Sequence, residues 1–193
     1  MSIPLILASA SPRRLALLDQ IGIKPAQVIP ADIDESVAPK EIPRTHAQRI
    51  ATEKAIAVRA RLKAGERAIV LAADTVVACG RRILPKAEDD AAVTQCLKLL
   101  SGRRHTVITA VALVDAEGKL RTRTIEAKVA FRRLEADEIA TYAKSGEGHG
   151  KAGGYAIQGR AAIFVRFISG SYTNVVGLPL TETFQLLRSC GAV

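Results

Sequence analysis

The 193-residue chain carries 28 Lys and Arg against 19 Asp and Glu, a net charge of +9, with 48% hydrophobic and 24% charged residues. Those proportions predict a folded core, and they exclude a membrane-spanning helix, because no apolar run approaches the roughly 20 residues that a bilayer demands. The excess charge attracts anions without choosing among nucleic acid, nucleotide phosphates and acidic membranes, and aromatics at 4% with no Trp weaken the base-stacking half of a nucleic-acid reading.

In chain order, IPLILA (3–8) reads as a buried strand, followed by a helix over 12–21 with Ser11 as N-cap, Pro12 at its first position and Gly22 past its end. AQVIPA (26–31) predicts a second strand, and residues 45–63 a long helix that stops before Gly65. AIVLAA (68–73), VVAC (76–79) and RILP (82–85) read as three separate strands, with Gly80 in the turn between the last two. EDDAAVTQCLKLL (88–100) gives an acidic-started helix stopped by Gly102, as the macrodipole favours. HTVITAVALVDA and LRTRTIEAKVAFRRL flank Glu117 and Gly118, a hairpin signal. A helix over 135–144, a strand AAIFVRFI (161–168) and a closing helix over 179–189 complete the series. With no repeat and no linker, the reading is one α/β domain over 1–193, which the length allows to have two lobes, with a mixed central sheet flanked by helices. Cys79, Cys96 and Cys190 lie far apart with no C-x-x-C spacing, which fits a reducing cytoplasm, and the N-terminus has no signal-peptide pattern.

Two irregular segments, 31–43 and 145–160, interrupt this regularity, the second with six glycines in sixteen residues. In SASPRR (9–14) a helix opens directly after a strand, offering free N–H groups and a positive dipole end to phosphate. Arg13 and Arg14 oppose that dipole unless an anion is bound; the alternative is a plain cap with solvated arginines. Lys54 shares an apolar helix stripe with Ile50 and Val58, either snorkelling or aimed at phosphate oxygens. Asp74 and Thr75 stand at the end of the strand VLAA, where a carboxylate holds a divalent metal or orients a water, or serves only as a turn residue. Asp32, Asp34 and Glu35 form a second acidic group that could share those duties. Lys86 follows RILP, and Lys151 lies in GKAGG, but Ala152 after it rules out a P-loop. His46, His105 and His149 lack metal-ligand spacing, which places them in structural or solvated roles.

Taken together, LASASPRRLALL, DIDES, EKA, ADTVV, Lys86, SGRRHTVITAV, GKAGGYAIQG and GSYTNVVGLPL resemble the Maf family of nucleoside triphosphate pyrophosphatases, in order from residue 5 to about residue 187. GKAGGYAIQG resembles the branch acting on dTTP and UTP. The resemblance implies a cytoplasmic, Maf/ITPase-like enzyme that splits a triphosphate between its α and β phosphorus with a divalent cation, Mg²⁺ or Mn²⁺, as house-cleaning of non-standard nucleotides. It also implies Asp74 as the proton acceptor, Arg13, Thr75 and Gln158 as the residues that set substrate choice, and Ser9, Arg14, Glu35, Lys54 and Lys86 as the remaining polar pocket. Glu35 and Asp74 are the candidate metal contacts. The family pattern reads Gly-Lys-Pro around its last lysine, whereas this chain has Pro85-Lys86-Ala87. The partner expected is a small nucleotide, with no stable nucleic acid and no membrane; a homodimer is compatible with the resemblance. The competing readings are a 7-methyl-GTP or broader pyrophosphatase of the same family, and a non-catalytic basic nucleic-acid-binding regulator of cell division.

Overall fold

A computed structural model describes residues 3–63 and 65–193. Strand β1 (Leu5–Leu7) leads into helix α1 (Pro12–Gln20), which ends at Gly22 in the left-handed region at φ 72°, and β2 (Gln27–Val28) follows. Helix α2 spans Pro43–Ala60. Strand β3 then runs unbroken over Ile69–Cys79, turns through Gly80 and pairs back with β4 (Arg82–Leu84). A two-residue strand β5 (Lys86–Ala87) precedes helix α3 (Asp90–Leu100), whose N-cap Asp89 accepts from the Ala92 N–H at 2.7 Å. The hairpin β6 (Arg104–Val114) and β7 (Leu120–Phe131) is followed by α4 (Ala136–Lys144), β8 (Lys151–Ala152), a 3₁₀ turn (Arg160–Phe164), β9 (Val165–Ser169), α5 (Tyr172–Val176) and α6 (Leu180–Ser189).

The main sheet has the order β2-β1-β3-β6-β7-β9, with β4 also on β3. β1 pairs in parallel with β2 and β3, and the remaining pairs are antiparallel, so the sheet is mixed as expected. Side-chain alternation sorts its two faces. Val70, Ala72, Val76, Ile108 and Ala110 face α2, whose Ala47, Ala51, Ala55 and Val58 pack on them. Leu71, Ala73, Val111 and Leu113 face the other way, onto Leu17, Leu18 of α1 and Leu186, Leu187 of α6. A third cluster joins α3 and α4 to the far end of the sheet around Phe131, Tyr155 and Phe164. No helix among the described residues is long and apolar enough to cross a membrane.

Two expectations need correction, and two short features go unpredicted. Asp74 and Thr75 do not end a strand: β3 continues through them, because β6 supplies an uninterrupted ladder from Val70 opposite Val114 to Ala78 opposite Thr106. Residues 160–164 form a 3₁₀ turn and only 165–169 a strand, because the ladder with β7 begins only at Val165 opposite Phe131. Helix α5 and the β5–β8 ribbon, which pairs Lys86 with Ala152, have too few residues to carry a periodic signal.

The glycine-rich loop owes its course to close packing. At Gly153, with φ +69°, an added Cβ would stand 2.8 Å from a Val77 methyl, whereas at Gly150, with φ +65°, it would meet nothing within 4 Å. Both positions carry the left-handed cost of about 1 kcal/mol for an alanine, and only Gly153 adds an overpacking cost of about 1–3 kcal/mol. Gly153→Ala is therefore expected to lower the urea midpoint clearly more than Gly150→Ala; equal midpoints would show that the Val77 contact yields freely.

Candidate active site

β1 pairs with β3 only over Ile69–Leu71, and β4 only over Val77–Cys79. Between them, among the described residues, one side of β3 lacks a strand partner from Ala72 to Val76, and the cleft opens there. It has a volume of about 1010 Å³. All nine residues expected at the site line it: Ser9, Arg13, Arg14, Glu35, Lys54, Asp74, Thr75, Lys86 and Gln158.

Because successive strand residues point to opposite faces, Asp74 and Thr75 serve different walls. Asp74 is on the α2 face, 6% exposed, and its Oδ1 accepts from the Lys54 Nζ at 2.8 Å. The same ammonium lies 2.9 Å from Glu35 Oε1, and Lys86 Nζ donates to Glu35 Oε2 at 2.6 Å. Asp74, Lys54, Glu35 and Lys86 thus form one chain of alternating charge. Burial works to raise the Glu35 carboxyl, and hydrogen bonds from Lys86 and Lys54 overcome it and hold Glu35 below its ordinary value. Despite the displaced proline, the short β5 strand delivers Lys86 to Glu35. Asp34 instead caps its own turn, accepting from the Ser36 N–H and hydroxyl at 2.9 Å each, and Asp32 reaches the cleft wall at φ 43°.

Thr75 faces α1. Its Oγ1 lies 3.0 Å from Thr109 Oγ1 and 3.2 Å from the Arg14 guanidinium. Arg14 also donates from Nε to the Gly177 carbonyl at 2.9 Å and from Nη1 to Ser9 Oγ at 3.0 Å, so its fork ties α1, β3 and the end of α5 together. Burial pushes its guanidinium down, offset in part by Asp74. Ser11 starts the helix without a side-chain cap bond, and its own N–H is taken by Ser9 Oγ at 3.2 Å. The two arginines therefore differ. Arg14 is buried and fully engaged, while Arg13 sits in the cleft wall with its buried Nε unpartnered.

Gln158 stands exposed at the rim, on a loop held from below. Tyr142 OH accepts from the Ala156 N–H at 3.0 Å, Tyr155 OH is 2.8 Å from buried His105 Nε2, and Glu147 takes the Arg160 N–H with both oxygens. His105 thus belongs to the aromatic core, and burial holds it down at about 4. His46 is buried against Glu41 at 2.9 Å, and His149 pairs with Asp90 at the surface. Sequence reasoning missed the clamp that fixes the Glu35 segment. Glu41 accepts from Arg49 at 2.7 and 2.9 Å and from the Ala38 N–H, and Arg49 also binds the Ser36 carbonyl at 2.9 Å. The i, i+8 span from Glu41 to Arg49 crosses a helix start, so no pair rule within a single element signals it.

The family model described as Maf-like protein matches residues 4–190. The chain belongs to the Maf family. Among its relatives, the dTTP/UTP pyrophosphatase of Paramagnetospirillum magneticum is 58% identical over 187 residues, covering 97% of both chains. That of Rhodospirillum rubrum is also 58% identical, over 97% of this chain and 88% of its own. The Caulobacter vibrioides dTTP/UTP pyrophosphatase is 57% identical over 97% and 95%. Among solved structures, a HAM1 protein from Coxiella burnetii superposes with a TM-score of 0.51 at 19% identity, covering 97% of this chain and 99% of that one. That likeness extends the Maf fold to the HAM1 architecture.

Two stability measurements follow from this geometry. Arg14→Ala without nucleotide is expected to lose about 2–4 kcal/mol of unfolding free energy, since it strands buried acceptors, while Arg13→Ala stays within about 0.5 kcal/mol of wild type; equal denaturant midpoints would refute the distinction. Arg49, against the opposing effect of burial, holds Glu41 well below its ordinary 4.5. A depressed carboxyl contributes stability above its unfolded value and loses it as pH falls. The stability of Glu41→Gln should accordingly be lower at pH 7 and decline less than wild type on acidification below about pH 4.5.

Proposed function

We propose that the chain is a single pyrophosphatase domain over 1–193 that hydrolyses dTTP and UTP to the monophosphate and pyrophosphate in the cytoplasm. The observation that carries this reading is the Asp74–Lys54–Glu35–Lys86 chain in one cleft with Arg13, whose buried Nε has no hydrogen-bond partner among the described residues. A triphosphate brings about four negative charges, and attack at its α-phosphorus raises charge on the equatorial and leaving oxygens. Lys54, Lys86 and Arg13 are placed to receive those oxygens, and the N–H groups at the start of α1 add donors.

In this mechanism a water attacks the α-phosphorus, the bond to the bridging oxygen breaks, and pyrophosphate departs. Asp74 takes the water's proton on the carboxylate oxygen that Lys54 does not hold. Lys54 holds the other oxygen and orients Asp74 for that transfer. Lys86, anchored through Glu35, neutralises the departing charge, while Arg14 keeps Thr75 and the entry to α1 in position. Gln158 offers an amide donor and acceptor to the edge of uracil or thymine, with Arg13 and Thr75 narrowing the choice.

The donor set also fits a divalent cation, Mg²⁺ or Mn²⁺. Glu35 and Asp74 share one ammonium between them, and no third Asp, Glu, His or Cys joins them among the described residues. Two carboxylates with water and substrate oxygens are what Mg²⁺ accepts. When bound there, such a cation withdraws charge from phosphoryl oxygens and acidifies a water. Glu35 and Asp74 would hold it, Asp74 through a water.

Pyrophosphate release from a panel of nucleoside triphosphates, with Mg²⁺ or Mn²⁺ and with EDTA, tests the reading. Metal-dependent turnover of dTTP and UTP above GTP and 7-methyl-GTP is expected, and turnover of none overturns it. Asp74→Asn should retain the melting temperature within a few degrees and lose at least about a thousand-fold in kcat, the range of a removed general base. Gln158→Glu should lower the ratio of UTP to GTP turnover; an unchanged ratio removes Gln158 from base selection.

A further inference from the structure

A second pocket lies at the far corner of the sheet, sharing no lining residue with the cleft. Its volume is about 390 Å³, and Gly102, Arg103, Arg104, Ala130, Arg166 and Phe167 line it. The register explains why so many long side chains meet there. Arg104 of β6, Ala130 of β7 and Phe167 of β9 stand opposite one another in a single cross-strand row, with the small Ala130 as the floor between two large neighbours. Consecutive strand residues normally point to opposite faces. Here the ladder between β7 and β9 shifts at Ala130/Phe131, which leaves Arg166 as the extra residue of a bulge beside Phe167. Bulges re-aim side chains in this way.

The pocket's charge is uncompensated. Glu126, the acid nearest along β7, is paired with Arg44 at 3.0 Å, and Glu138 is paired with Arg132. Arg103, Arg104 and Arg166 are exposed and have no acidic partner among the described residues. The Arg104 guanidinium lies over the Phe167 ring at 5.9 Å, and Phe167 is still 49% exposed. An arginine on edge strand β9 is what guards against sheet-to-sheet aggregation, but an open phenyl ring beside it works against that role, and Arg103 and Arg104 are not on the edge.

We infer that this corner is a second binding site, for a nucleotide: phosphate on Arg103, Arg104 and Arg166, and base against Phe167. Guanidinium forks match phosphate oxygens, and a base stacks on an exposed aromatic ring whatever its identity. The same chemistry is presented by a free nucleotide and by one residue of a single strand. It does not depend on the reaction assigned to the cleft.

The chain has no Trp, so Phe167→Trp places a sole indole at the site, and Leu120→Trp, at an exposed position far along β7, is the control. Titration of the full chain with UMP is expected to quench the Phe167→Trp signal saturably and leave Leu120→Trp unchanged. Adding Arg104→Ala and Arg166→Ala should weaken UMP at least about ten-fold, the order of two lost charge-assisted contacts, while Lys24→Ala with Lys119→Ala, the same loss of two charges elsewhere, weakens it less than about two-fold. A d(T)12 strand that binds more than about twelve-fold tighter than UMP, beyond its number of residues, assigns the source to single strands, and one that does not assigns it to free nucleotide. The proposal is overturned by quenching that does not saturate, by an arginine double variant that binds like wild type, or by inorganic phosphate competing as well as UMP. It is equally overturned if Arg13→Ala abolishes the quench, which would place the signal in the cleft, or if the arginine variants change the oligomeric state, which would make the corner an interface between copies.

Discussion

The site depends on one asymmetry in β3. Along one side, β6 pairs with it without interruption, and along the other, β1 and β4 take only its two ends. A strand needs one complete ladder to stay extended, and β6 provides it, so the opposite side is free to open without the strand collapsing into a turn. Asp74 and Thr75 occupy that opening. Their carboxylate and hydroxyl are therefore held by the rigid centre of a sheet rather than by a mobile loop, which is the placement a reacting constellation needs.

Alternation along the strand then divides the labour. Asp74 looks toward α2 and meets Lys54, a residue from the middle of a helix whose neighbouring positions are buried alanines, Ile50 and Val58. Thr75 looks toward α1 and meets Arg14. A buried ammonium without partners would be costly, and Lys54 escapes that cost by bridging two carboxylates at 2.8 and 2.9 Å. The chain of charges continues through Glu35 to Lys86, so positive charge reaches the cleft without any one cation being stranded in the core.

Much of this was legible in the residues, and what was not has identifiable causes. An apolar run marks β1, cap and breaker residues frame α1 and α3, the apolar stripe of Ile50, Lys54 and Val58 marks α2, and the Glu117–Gly118 turn marks the β6–β7 hairpin. The nine candidate residues that line the cleft stand out only as a set spread over the chain, since each taken singly has an ordinary explanation as a cap, a turn or a solvated charge. The unbroken course of β3 was hidden because Asp-Thr reads locally as a break, and the ladder that overrides it comes from a strand more than thirty residues later. The β5–β8 ribbon was hidden for the same reason, being two residues on each side with its partners far apart in sequence.

The pair of arginines shows how an apparent local fault can have two resolutions at once. Both oppose the α1 dipole, yet they relieve the conflict differently. Arg14 folds inward and donates to three neutral acceptors, Gly177 O, Ser9 Oγ and Thr75 Oγ1, so its charge is dispersed over dipoles that the fold supplies. Arg13 finds no such acceptors for its Nε and stays in the cleft wall. The first is satisfied by the protein itself and serves to fix the geometry of Thr75 and the helix start. The second keeps an unmet need for an anion, and an unmet need at a pre-formed position is what converts binding energy into orientation.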